Sequence, residues 1–254
     1  MDFTEFHNYI YREFNLNLNA YKPEQLNRRI TSLMARRGIK SLDEYKKVLV
    51  SNKEEKEKFL DFITINVTEF FRNPDLFNEL KNVIKDYLEN KNSLKIWSAA
   101  CSIGCEPYSI AMLLNEINPS IKASILATDI DSNIIKRAVL GEYIDVEMKN
   151  IDDNFRNKYF KHNNDKYYIK EKIKSMVTFK KHDLILDKYE DNFDIIVCRN
   201  VVIYFKNEIK KEIFEKFSNA LKVGGVLFVG ATESIYNYKD FNLEKVSTFI
   251  YKRI

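Results

Sequence analysis

From residue 93 onward, short apolar runs alternate with helical patterns, and this rhythm restricts the fold more than any other feature. Residues 94–99 carry Leu94, Ile96 and Trp97 in a run too short for a helix. A turn and an apolar helix over 108–117 follow, closed by Pro119. A second run at 123–128, a helix at 132–140, a third run at 193–197 and a helix at 206–221 continue the series. Gly224-Gly225 then leads into 226–229, and Phe249, Ile250 and Tyr251 supply an expected edge strand. Buried strands alternating with helices require a mostly parallel α/β sheet covered on both faces.

The first 75 residues have a different period. Phe3, Phe6, Tyr9, Ile10 and Phe14 recur at three and four, as do Leu26, Ile30, Leu33 and Met34 behind Pro23. Ser41, with Glu44 three residues on, predicts a capping box for a third helix, and Phe59, Phe62 and Ile63 mark a fourth. The domains expected are therefore an all-α N-terminal domain at 1–75 and an α/β domain at 76–254. Residues 141–182 are read as an inserted β subdomain, because the stretch from Tyr143 to His182 is rich in Lys, Asn, Asp and Tyr.

Composition excludes several classes. A formal net charge of +4 over 254 residues favours no polyanionic partner. No apolar stretch approaches the ~18 residues that span a bilayer, and the N-terminus lacks a signal-peptide pattern. Three cysteines and three scattered histidines make neither a disulfide framework nor a metal site. A cytoplasmic monomer without metal, membrane insertion or nucleic-acid binding is expected.

In open α/β sheets, ligands bind beyond the carboxyl ends of the strands. The first strand ends in Ser98-Ala99-Ala100-Cys101-Ser102-Ile103-Gly104-Cys105-Glu106-Pro107-Tyr108-Ser109. Its small residues let a ligand approach the backbone, but it has no G-x-G-x-x-G diphosphate cradle. Glu106 suits the cationic amino-acid end of S-adenosylmethionine, and equally a first-turn helix position favoured by the dipole. Asp129 closes the second strand, where a carboxylate accepts ribose hydroxyls, while Asp131 is placed to cap the next helix. Asp183 can accept from an adenine amino group or simply shape a turn. Arg199 and Asn200 end the run at 193–197, and Tyr204 follows among apolar residues.

Five ordered motifs carry a resemblance. Thr64-Ile65-Asn66-Val67-Thr68-Glu69-Phe70-Phe71-Arg72 fits T-x-N-x-T-x-F-F-R, and residues 97–109 fit W-S-A-A-x-S-x-G-x-E-P-Y-S. Ala127-Thr128-Asp129-Ile130-Asp131 fits A-x-D-I-D. Residues 198–205 and 225–234 fit C-R-N-V-x-I-Y-F and G-x-L-x-x-G-x-x-E-S. The chain resembles the CheR family of chemotaxis receptor glutamate methyltransferases over nearly its whole length.

The resemblance implies a Rossmann-like class I methyltransferase domain with a seven-stranded sheet, preceded by the helical domain. It implies S-adenosylmethionine as methyl donor, S-adenosylhomocysteine as product and glutamate carboxylates on the cytoplasmic helical domains of chemoreceptors as acceptors. Asn66, Thr68, Arg72, Glu106, Asp129, Asp183, Leu184, Arg199 and Asn200 are implied cofactor residues, with Arg72 and Tyr204 at the acceptor. Asp183 stands where well-known members carry Asn, keeping an acceptor and losing a donor. A glutamate-rich substrate calls for a basic docking face, and Arg28, Arg29, Arg36 and Arg37 on the second helix supply one.

Overall fold

The computed structural model describes every residue except Ile65, Asn90 and Asn92, so the variable second position of the first motif lies outside the described residues. Helix formation begins at once. Asp2 accepts from the Glu5 backbone N–H at 2.8 Å and the Glu5 carboxylate returns to the Asp2 N–H, a complete capping box for α1 (Phe3–Phe14). Pro23 opens α2 (Pro23–Arg36). Ser41 caps α3 (Leu42–Ser51), but the Glu44 carboxylate takes the N–H of Lys40 instead of Ser41, so the expected box closes one residue early. With α4 (Lys53–Thr64), these helices bury the apolar stripes read from the sequence, and Phe6 meets Tyr45 and Phe59 at ring distances of 6.1 and 6.2 Å.

This helical unit comprises Met1–Asn66 together with Tyr204–Glu212. Tyr21 and Phe205 form an antiparallel bridge, with the Lys22 N–H donating to the Tyr204 carbonyl and the Lys206 N–H to the Ala20 carbonyl, each at 2.9 Å. The Tyr21 and Phe205 rings meet edge-on at 4.9 Å.

The second unit, Val67–Ile203 and Ile213–Ile254, contains the sheet. In chain order it has α5 (Pro74–Leu88), β1 (Ser93–Ala99), α6 (Cys105–Ile117), β2 (Lys122–Asp129) and α7 (Ser132–Leu140). The insertion supplies β3 (Glu142–Tyr143), α8 (Asp153–Tyr159), β4 (Phe160–Asn163), β5 (Lys166–Ile169) and α9 (Glu171–Lys174). Then come β6 (Val177–Lys181), β7 (Phe193–Cys198), α10 (Asn207–Ala220), β8 (Leu221–Val229), β9 (Leu243–Lys245) and β10 (Ile250–Arg253), with α10 beginning in the helical unit. The sequence reading assigns no element to α5, although Leu76, Phe77, Leu80 and Ile84 form its buried stripe.

The seven strands lie in the order β6-β2-β1-β7-β8-β10-β9, parallel except where β10 runs antiparallel to both neighbours. The C-terminal strand is thus one place inside the edge, which β9 occupies, a correction to the expected edge position. The smaller antiparallel sheet is β3-β5-β4. Val177–Lys181, read from sequence with the insertion, instead extends the main sheet beside β2.

Every residue of β7 is buried, as a central strand covered on both faces requires. Its one charge, Asp194, is 1% exposed and held by the Lys91 and Lys222 ammoniums at 2.9 Å and the Lys95 N–H at 2.8 Å. Together these bonds keep the Asp194 carboxyl below its ordinary pKa although burial pushes the other way.

Candidate active site

β1 has β2 on one side and β7 on the other, so the chain reverses its direction of travel across the sheet there and leaves a crevice beyond the strand ends. The loop leaving β1 is wound tightly. Ala100, Ser102 and Gly104 all take left-handed backbone, with φ of 66°, 51° and 88°. Such geometry costs a residue with a side chain about 1–2 kcal/mol. The loop's N–H groups offset that cost: Cys101 donates to the Thr128 carbonyl at 2.8 Å and Ser102 to Asp129 Oδ2 at 2.9 Å. A Cβ on Gly104 would stand 3.2 Å from Ala138, Tyr108 and Tyr143, so packing and φ both select glycine.

This turn starts α6 at Cys105, earlier than the pattern at 108–117 implies, and puts Glu106 in its first turn. There Glu106 keeps the first-turn position that the helix dipole favours, and its carboxylate oxygens meet side chains of β1 and of the turn after β7. Its Oε1 accepts from Ser98 Oγ at 2.8 Å and its Oε2 lies 3.5 Å from Arg199 Nη1. Burial pushes the Glu106 carboxyl up, with Arg199 and Ser98 pulling it back. Burial likewise lowers Arg199, whose Nη2 donates to the Arg72 carbonyl at 2.8 Å and to Asn73 Oδ1 at 3.0 Å.

Asp129, 6% exposed, accepts from the Ser102 and Asp131 N–H groups, and burial raises its pKa to about 6. Asp131 caps α7 with Oδ1 on the Asn133 and Ile134 N–H groups. Asp183 bonds the Ile185 and Leu186 N–H groups through Oδ1, while its buried Oδ2 has no partner. Both readings of Asp183 therefore coexist: one oxygen shapes the turn and the other remains an acceptor. Leu184 beside it is buried.

The motif ahead of α5 is pinned to the same region. Phe70 is buried against Tyr143 and Phe160, at 4.6 and 5.2 Å, and the Phe71 N–H donates to Ser109 Oγ at 2.9 Å. Thr68 is partly buried, and Arg72 gives one N–H to the Val67 carbonyl at 3.2 Å. Asn66 and Tyr204 belong to the helical unit. There the Asn66 amide donates to Thr64 Oγ1, and Tyr204 lines a small cleft with Tyr21, Lys22, Gln25, Leu26, Arg29 and Ile63.

Of the four arginines expected on the second helix, Arg28, Arg29 and Arg36 lie in α2, whereas Arg37 is its C-cap residue just past the end. Arg28 and Arg36 are exposed. Arg29 is partly buried, donates to the Phe62 carbonyl and lies 4.5 Å from the Phe62 ring, which Arg36 also covers at 5.4 Å. Arg37 pairs with Glu55 at 3.1 Å.

Sequence reasoning assigned no role to Glu233, which is 5% exposed and accepts N–H bonds from the turn carrying Asn200. Its signal was the Glu specified in the last motif. The three cysteines are buried with their thiols pushed up, so they are not poised as nucleophiles. Among the described residues no His, Cys, Asp and Glu cluster could hold a metal, and no helix is long and apolar enough to cross a membrane.

A mostly parallel seven-stranded sheet with carboxylates beyond β1, β2 and β6 is the Rossmann-like architecture of class I methyltransferases. The unpartnered Asp183 Oδ2 and the carboxylates of Glu106 and Asp129 fit a cationic nucleoside. The chain belongs to the CheR methyltransferase family: residues 1–64 match its all-alpha domain and residues 66–250 its SAM binding domain. It is 40% identical to a chemotaxis protein methyltransferase of Listeria monocytogenes, over 98% of this chain and 96% of that one. To one of Borreliella burgdorferi it is 35% identical, over 96% and 91%. Among solved structures, a TehB-like SAM-dependent methyltransferase from Corynebacterium glutamicum aligns over 68% of this chain and 84% of that one, at 13% identity and a TM-score of 0.40.

Proposed function

We propose that this chain methylates glutamate side-chain carboxylates on the cytoplasmic helical domains of chemoreceptors, producing methyl esters. The observation that carries the reading is the family match along the whole chain, with 35–40% identity to chemotaxis protein methyltransferases. When bound, S-adenosylmethionine supplies an activated methyl group on its sulfonium. Glu106 takes the amino group of the cofactor, Asp129 the ribose hydroxyls, and Asp183 with Leu184 the adenine side, where the unpartnered Oδ2 is the acceptor. Arg199 and Asn200 border the amino-acid end. Thr68 and Asn66 are assigned to the cofactor by the motif that contains them.

A glutamate acceptor, with a reference pKa of ~4.3, is already ionised at neutral pH, so no general base is needed. The protein's contribution is then orientation, worth several kcal/mol when reacting atoms are held in line. Arg72 is the residue assigned to the acceptor carboxylate; one of its N–H groups is spent on Val67, which keeps it from clamping the nucleophile with its full set of donors. Tyr204 is assigned to orient the acceptor. Arg28 and Arg36, exposed on α2, are the docking cations.

The test is to incubate the protein with methyl-labelled S-adenosylmethionine and receptor cytoplasmic domains, then treat the product with base. Esters release methanol, whereas N-methyl groups persist. Base-stable label, or no label on any receptor, overturns the proposal.

A further inference from the structure

Glu233 lies outside every strand and helix, yet it gathers more backbone N–H groups than any other carboxylate near the crevice. Oε2 accepts from Asn200 at 2.6 Å and Gly230 at 3.0 Å, and Oε1 from Val201 at 3.0 Å and Ile203 at 3.3 Å. Three donors come from the turn after β7 and the fourth from the residue that follows β8. That turn is strained, with Asn200 at a φ of 61°. Gly230 is glycine for want of space: a Cβ there would stand 3.0 Å from the Asn200 nitrogen and run into the Glu233 carboxylate.

With two donors aimed at each oxygen, only an acceptor on both sides satisfies the nest. Ionised Glu is the side chain that provides this at the right reach. Burial raises Glu233 while the four N–H groups pull it back toward the charged form. We infer that Glu233 is a positioning residue for cofactor binding: it fixes the Arg199-Asn200 turn that borders Glu106 and touches no substrate itself. The inference rests on the proposed contact of Arg199 and Asn200 with the cofactor.

The experiment measures S-adenosylhomocysteine affinity of the full chain by calorimetry for the wild type, Asn200→Ala, Glu233→Gln, Glu233→Asp and the Asn200→Ala/Glu233→Gln pair. Glu233→Gln must turn an amide NH2 toward one pair of N–H donors, and we expect it to weaken binding about tenfold or more, as misplaced binding groups do. Glu233→Asp, which keeps both acceptors on a shorter arm, should recover part of the affinity. The double variant should be less than additive, because both changes act through one turn. Urea unfolding of each variant should stay cooperative.

Unchanged binding by Asn200→Ala removes the underlying assignment. Weakened binding by Asn200→Ala with wild-type binding by Glu233→Gln overturns the inference alone. An additive pair also overturns it, as does loss of cooperative unfolding in both Glu233 variants, since the carboxylate would then hold the fold and not the turn.

Discussion

Asp129 shows how burial at a strand end becomes pH dependence. Its pKa rises from 3.8 to about 6, chiefly through desolvation. A carboxyl raised in the folded state contributes stability that is complete below its unfolded pKa near 3.8 and is lost as pH rises through about 6. At neutral pH the ionised, ligand-free site is therefore destabilising, by about 3 kcal/mol at 1.36 kcal/mol per unit. Ribose hydroxyls donating to Asp129 favour that ionised form. S-adenosylhomocysteine affinity should thus tighten as pH rises through 6 and level off near 7, with binding at pH 5 about tenfold weaker than at the plateau. Glu106 and Asp183, also raised by burial, act in the same direction. Calorimetry across that range checks it, and a flat profile removes Asp129 from the site. Residue types at this scale were readable from sequence: Glu106, Asp129 and Asp183 were all singled out. Their partners were not, because Ser98 and Arg199 meet Glu106 only after β1 and β7 pair.

Elements were legible where periodicity is strong and blurred where turns do unusual work. The stripes of α1 to α4 and the buried runs of β1, β2 and β7 follow directly from apolar spacing. The start of α6 was not legible, because three left-handed residues pull the helix back to Cys105, against the ordinary preference of Ala and Ser. The place of β10 inside the edge depends on pairing with β8, which no local pattern encodes. The two aspartates of A-x-D-I-D differ: Asp131 caps α7, and Asp129 is the one proposed to hold the cofactor. Asp131→Ala removes the α7 cap and should lower stability by about 1 kcal/mol in urea unfolding. Its N–H to Asp129 is main chain and survives the change, so S-adenosylhomocysteine affinity should stay within about twofold. A larger loss of affinity would assign Asp131 to the ligand.

Over the whole molecule, the net charge of +4 is too small to direct association, and the docking proposed above draws on local cations. The sequence reading places four arginines on one helix, but Arg29 is partly buried and bonded to the Phe62 carbonyl, and Arg37 lies past the end of α2, paired with Glu55. Arg28→Glu with Arg36→Glu should therefore lower kcat/KM for a receptor domain by about tenfold or more at low salt, leave S-adenosylhomocysteine affinity unchanged, and flatten the salt dependence of methylation. Steady-state rates at several ionic strengths check this; unaltered kinetics would place the docking surface elsewhere. The architecture of alternating strands and helices was legible as a whole, since it is written in local hydrophobic pattern. The composition of the helical unit was not, because the antiparallel bridge of Tyr21 and Phe205 joins residues far apart in sequence.

That bridge sets an order of events on the ribosome. Tyr204–Glu212 complete a unit whose other residues end at Asn66. At roughly 5–20 residues per second, roughly 7–28 seconds separate the emergence of its two parts. During that interval the bridge cannot form, so the helical unit is completed only after β7 has been made.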